Sequence, residues 1–214
     1  MKKNVVILVC IVSLIFFIGS ISYAQTPPKN WGIGGRISWL TLDDDTVQGV
    51  TFDPDATVLF EGIAQYFVND LFSLEFSVGY SNGDFDAESL GVSVNFGELQ
   101  QIPVRLTGRF HHWFVDSKAT FYGGGGVGYY FNDFDLANVV LSSEPGASVD
   151  VDNSFGYHLD AGVEYFVTES WALDLDVKYV WNKADFDFID STGVETVGIA
   201  LNSFIAGVSL KYCF

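Results

Sequence analysis

Eight stretches of this chain alternate apolar and polar residues with a period of two. Successive side chains of a strand point to opposite faces, so the pattern marks eight strands, each with one apolar face. In FSLEFSVGY, Phe72, Leu74, Phe76, Val78 and Tyr80 share one face, and Ser73, Glu75, Ser77 and Gly79 the other. In WALDLDVKYVW, Trp171, Leu173, Leu175, Val177, Tyr179 and Trp181 oppose Asp174, Asp176, Lys178 and Val180. Similar apolar faces run from Trp31 to Trp39, Val58 to Tyr66, Ile102 to Phe110, Phe155 to Tyr165 and Phe204 to Phe214, with an eighth strand over the glycine run at 120–132. No segment beyond residue 24 has sustained helical periodicity or the unbroken apolar length of a membrane helix.

A soluble β-sandwich would bury these apolar faces and expose the polar ones. The aromatic residues at strand ends favour the opposite arrangement, in which apolar faces meet lipid and Trp and Tyr form girdles at its two surfaces. The connections agree. Residues 43–56, 82–98, 132–153 and 183–200 are long, whereas the links near Asn69, Asp116 and Glu169 are short, the pattern of long outer loops and short periplasmic turns. A helix-free chain in lipid must leave no strand edge unpaired. The expected fold is therefore all-β: an eight-stranded antiparallel up-and-down transmembrane β-barrel over residues 25–214, integral to a bacterial outer membrane, with both termini periplasmic.

The first residues, MKKNVVILVCIVSLIFFIGSISYAQ, place Lys2 and Lys3 before an apolar run from Val5 to Ile18 and small residues ending at Ala24. That is the layout of a secretory signal peptide, residues 1–24. Cys10 would leave with it, and Cys213 alone cannot form an intrachain disulfide. The chain carries 27 acidic against 10 basic residues, a formal net charge of −17, which excludes nucleic acid as a partner by repulsion. Of the 27 carboxylates, 18 fall in the four long connections, so the outer surface is a ring of negative charge facing lipopolysaccharide. DDD at 43–45 and DVD at 150–152 lack the spacing and terminal Glu of a calcium loop, so no metal site is expected.

The faces opposite the apolar ones supply the lumen. They carry Arg36, Glu61, Glu75, Arg105, Arg109, His158, Asp160, Glu164, Asp174, Asp176, Lys178 and Lys211, an expected salt-bridged polar network of five basic and six acidic groups with one histidine. Leu40, Leu59, Ile63, Val180, Leu201 and Ile205 also point inward, mostly near the outer strand ends, and form a candidate apolar vestibule above that network. FYGGGGVGYYF contains Gly123-x-Gly125-x-x-Gly128, formally a dinucleotide fingerprint, but no helix follows it. As a strand it turns Gly124, Gly126 and Gly128 inward and makes room for Arg105, Arg109, His158, Asp160 and Glu164 in a lumen only wide enough for side chains.

QIPVRLTGRF, FYGGGGVGYYF, GYHLDAGVEYFVTESWALDLDVKYVW and the ending GVSLKYCF resemble the OmpW family of small outer-membrane barrels, and share strand patterns with the transmembrane domain of OmpA-type proteins. The resemblance covers most of the chain after residue 24. It implies a narrow barrel with an apolar inner passage for small hydrophobic solutes. Val208, Leu210, Tyr212 and the terminal Phe214 resemble the C-terminal signal read by the barrel assembly machinery, with Ser209 where glycine is common.

Two functions stay open on sequence alone: a narrow passage or binding barrel for small hydrophobic solutes, or a non-conducting structural or surface-interaction barrel acting through its acidic loops. Inward aliphatic residues favour the first and balanced inward charge the second. No cofactor is expected. Enzymatic activity is not expected either, because no serine sits in a nucleophile setting, His111 and His112 fall at a periplasmic turn, and His158 belongs to the polar network.

Overall fold

The computed structural model describes residues 29–47, 50–89, 92–114, 118–137, 148–190 and 193–214; the expected leader, 1–24, lies outside them. Thirteen strands follow in chain order: β1 Trp31–Leu42, β2 Asp45–Val47, β3 Val50–Pro54, β4 Thr57–Asn69, β5 Phe72–Ser89, β6 Val92–Trp113, β7 Ala119–Leu136, β8 Ser148–Val151, β9 Ser154–Phe166, β10 Trp171–Trp181, β11 Lys183–Asp190, β12 Gly193–Ala200 and β13 Ser203–Cys213.

Eight of them, β1, β4, β5, β6, β7, β9, β10 and β13, pair antiparallel with their neighbours in a closed ring; β5–β6 and β1–β13 complete the circuit. Trp31 and Phe214 exchange two backbone hydrogen bonds, of 3.1 and 2.8 Å, so the described ends of the chain lie together at the end of the barrel that carries the short turns.

Burial is inverted relative to a soluble protein. Ile37 is 56% and Phe110 66% exposed on the outer wall, whereas Arg36 and Arg105, on alternate positions of the same strands, are 1% exposed inside. The period-two parity of the sequence thus assigns every wall residue to lipid side or lumen.

The long connections differ from irregular loops. Ring strands β5, β6 and β7 run for 18, 22 and 18 residues, well past the nine to eleven or so that cross a bilayer. The β2–β3 hairpin is paired to the upper part of β5. A second sheet, ordered β12–β11–β8, stands at the same end. Alternation continues through these segments, for example Ala184, Phe186 and Phe188 against Asp185 and Asp187, which is why they remain extended.

Candidate functional site

Register places the inward charges at one level. Arg36 on β1 lies opposite Glu61 on β4, Glu75 on β5 opposite Thr107 on β6, and Asp174 on β10 opposite Glu164 on β9. Arg36 is the hub: its guanidinium lies 3.0 Å from Glu75, 3.1 Å from Asp176, and 3.6 Å from both Glu61 and Asp174. Arg105 donates to Glu61 at 2.5 Å. Arg109 donates to Asp160 at 2.8 Å and to Glu75. Lys211 pairs with Glu164 at 2.7 Å and donates to Gln65 at 2.5 Å. The remaining ring strand, β7, joins through Tyr122, whose hydroxyl donates to Asp174 at 2.7 Å and whose ring lies 4.4 Å beneath the Arg109 guanidinium. All eight ring strands therefore contribute to one layer across the lumen.

The glycine run serves this layer. A Cβ on Gly124 would lie 2.6 Å from Asp160 Oδ1 and 3.0 Å from Arg109 Cγ; one on Gly128 would lie 3.0 Å from Arg105 Cγ. The same holds at Gly207, where a Cβ would crowd Asp176 and Arg36.

Two members of the expected network make no close ion pair among the described residues. His158 is buried, and its Nε2 shares a hydrogen bond with Thr107 Oγ1 at 2.8 Å. Lys178 is buried opposite Asp160, yet its Nζ has neither hydrogen bond nor ion pair among the described residues. His111 requires a larger correction. It is not at a turn but inside the lumen, 4% exposed, with Nε2 2.8 Å from Ser73 Oγ. Because β6 extends to Trp113, the parity of Arg105 and Arg109 carries on through His111.

Beyond His111, the turn end is closed by Phe67, Trp113, Phe166, Ala172 and Cys213, with Trp113 stacked on Phe166 at 5.5 Å. At the opposite end the inward residues become apolar. Leu40, Leu59, Val180, Leu201 and Ile205 gather in one buried cluster. Ile63 is buried but stands outside it, because β4 runs away from the loop end and Ile63 lies one inward step beyond Glu61.

The larger part of this cluster was not foreseen. Phe85, Leu99, Phe134, Val149, Ala184, Phe186 and Ile199 come from strand extensions and from the second sheet, and they fill the mouth. A sequence signal for them exists: Asp-Phe-Asp occurs at 84–86, 133–135 and 185–187, each Phe alternating with acids that stay unburied.

One seam interrupts the wall beside this chamber. The β4–β5 ladder ends at Leu59–Ser81, and the β3–β5 ladder begins at Pro54–Phe85. Between them Thr57 Oγ1 donates to the Asn82 carbonyl at 2.5 Å. An open cleft of about 460 Å³ lies against Asp55, Thr57, Asn82, Asp84 and Glu98. It shares Asp55, Thr57, Gly83 and Asp84 with a narrow crevice, about 10 Å³ of free volume, that reaches Leu40, Leu42, Phe85 and Leu99 inside.

Two aspartates of the DDD motif act as staples. Asp43 accepts from the Tyr179 hydroxyl at 2.6 Å, and Asp45 from the Ala200 backbone N–H at 2.8 Å. Among the described residues, no three His, Cys, Asp or Glu side chains are placed to share a metal ion.

A family described as "Outer membrane protein beta-barrel domain" matches residues 9–211. The uncharacterized outer-membrane protein y4mB of Sinorhizobium fredii is 28% identical over 196 residues, 86% of this chain and 80% of that protein. The crystal structure of the outer membrane protein OprG from Pseudomonas aeruginosa superposes with a TM-score of 0.73 at 20% identity, covering 87% of this chain and 97% of OprG. The solid-state NMR structure of the outer membrane protein AlkL in lipid bilayers gives 0.61 at 24% identity, covering 92% and 93%. Both likenesses concern the fold.

Proposed function

The chain belongs to the outer membrane protein beta-barrel domain family, and from that premise we propose that it binds and admits small hydrophobic solutes at the outer end of its lumen. The observation that carries this reading is the layering: an apolar cluster that includes Leu40, Leu59, Val180, Leu201 and Ile205 rests on a layer of ion pairs and hydrogen bonds to which every ring strand contributes. An apolar solute gains from the upper layer by leaving water. It cannot displace the lower one, where separating a buried pair costs about 3–5 kcal/mol. The solute therefore stops above the charges, level with the seam between Leu59–Ser81 and Pro54–Phe85.

In this reading the loop end faces outward, both termini are periplasmic, and the acidic rim meets lipopolysaccharide. Val208, Leu210, Tyr212 and Phe214, all on the outer wall, are available to the barrel assembly machinery.

The test is uptake of a small apolar solute across asymmetric vesicles with lipopolysaccharide in the outer leaflet. The wild-type chain should speed uptake over protein-free vesicles. Leu59→Arg, which places a charge at a fully buried chamber position, should remove most of that gain while the barrel remains folded by its heat-resistant gel mobility. A folded Leu59→Arg barrel with wild-type uptake would count against the chamber. The alternative, a structural barrel acting through its loops, draws on the complete filling of the charged layer; wild-type vesicles no faster than protein-free ones would favour it.

A further inference from the structure

The three Asp-Phe-Asp segments belong to three different strands, β5, β7 and β11, yet their phenylalanines meet. Ring centroids are 5.9 Å apart for Phe85–Phe134, 6.2 Å for Phe85–Phe186 and 6.0 Å for Phe134–Phe186. Phe186 lies nearly parallel to Phe85, at 27°, and edge-on to Phe134, at 72°. These are the two arrangements that aromatic pairs prefer. Phe186 is 1% exposed.

The triangle has unequal sides in one respect. Phe85 and Phe134 stand on strands of the closed ring, whereas Phe186 stands on the separate β12–β11–β8 sheet, whose strand ladders do not involve the ring. Its strands continue ring strands β9, β10 and β13 after breaks of one or two residues, bridged by Leu201 N–H to the Asn182 carbonyl at 2.9 Å, and Ala200 N–H donates to Asp45 at 2.8 Å. The barrel thus builds a seat, and the hairpin beyond β10 and β13 places a phenyl ring in it. The occupant states what the seat fits.

We infer that Phe186 is a removable stopper and that its seat between Phe85 and Phe134 is a binding site for small planar aromatic solutes, which enter as the ring withdraws. This rests on the solute-binding reading above and narrows its substrate class. An aliphatic solute of equal size recovers the buried area but not the ring–ring contribution, so the aromatic one binds roughly 2- to 10-fold more tightly. The six flanking aspartates, none of them buried, surround the mouth with negative charge, which turns away anionic rings and leaves uncharged ones.

The experiment places 4-fluorophenylalanine at position 186 of the full chain, folded in lipid vesicles, and follows its fluorine NMR signal. Toluene and methylcyclohexane are added at matched membrane concentrations. Toluene should move the signal from its buried towards an exposed position, and methylcyclohexane should need roughly 2- to 10-fold more for the same effect. A folded barrel in which the two act alike, or neither acts, overturns the inference. A second variant, Phe186→Ala, vacates the seat and should bind fluorobenzene in preference to fluorocyclohexane; Phe85→Leu added to it should abolish the preference, and a preference that survives Phe85→Leu also overturns the inference. Uptake separates the two levels. If both solutes cross faster than in protein-free vesicles while Phe186 answers them equally, the aromatic seat is wrong and the solute-binding reading stands; if neither crosses faster, the reading itself falls and the inference with it.

Discussion

Arg36 touches four carboxylates from three other strands, and Lys211 reaches Glu164, Asp174 and Gln65, while Lys178 at the same parity touches none. The three cations look alike in sequence. Alternation tells that each points inward, but pairing depends on side-chain length and on which neighbour is glycine, which no single strand reveals. The difference has a measurable consequence. Removing Lys211 leaves buried Glu164 without its ion-pair partner, so Lys211→Met should cost about 3–5 kcal/mol in urea unfolding from lipid vesicles. Lys178→Met removes a buried ammonium that makes no hydrogen bond or close ion pair among the described residues, and should leave stability unchanged or raised. A loss at Lys178 as large as that at Lys211 would mean that Lys178 holds the acidic layer together at longer range.

Elements of the ring follow from their own alternation, and the eight wall strands and their order were legible in the sequence for that reason. The outer sheet was not. Its strands lie in stretches whose acids read as solvated loop, and their partners are each other, so nothing local signals that Phe186 and Ile199 turn down into the mouth. The repeated Asp-Phe-Asp carried the information, since a lone phenylalanine between two aspartates keeps strand parity and needs somewhere to bury its ring. His111 was misplaced for a related reason: the strand continues past the point where a turn was expected, and parity with it. At this scale Asp45 is the fastening of β12, through the Ala200 N–H. Asp45→Ala should raise amide hydrogen exchange at Ala200 and its β12 neighbours by about tenfold, the scale of one hydrogen bond to a charged acceptor, with ring-strand amides unchanged. Equal exchange in the two proteins would show that the sheet is held by its buried phenylalanines alone.

For the whole molecule, one inversion organises the rest. Apolar residues cover the outside of the closed ring and charged residues fill the middle of the inside, with apolar groups closing both ends of the lumen. Lipid replaces water as the solvent of the outer wall, and ion pairs replace the hydrophobic core across the centre. The described side chains carry ion pairs across the middle of the lumen, and the route proposed for apolar solutes needs no aqueous column. The most direct measurement is single-channel recording of the wild-type chain in the same asymmetric bilayers in which it speeds apolar uptake. The charged layer should keep the barrel silent, with no steady ohmic openings while uptake proceeds. Steady openings that scale with uptake would contradict this, because solute and ions would then share a water-filled path through the charged layer.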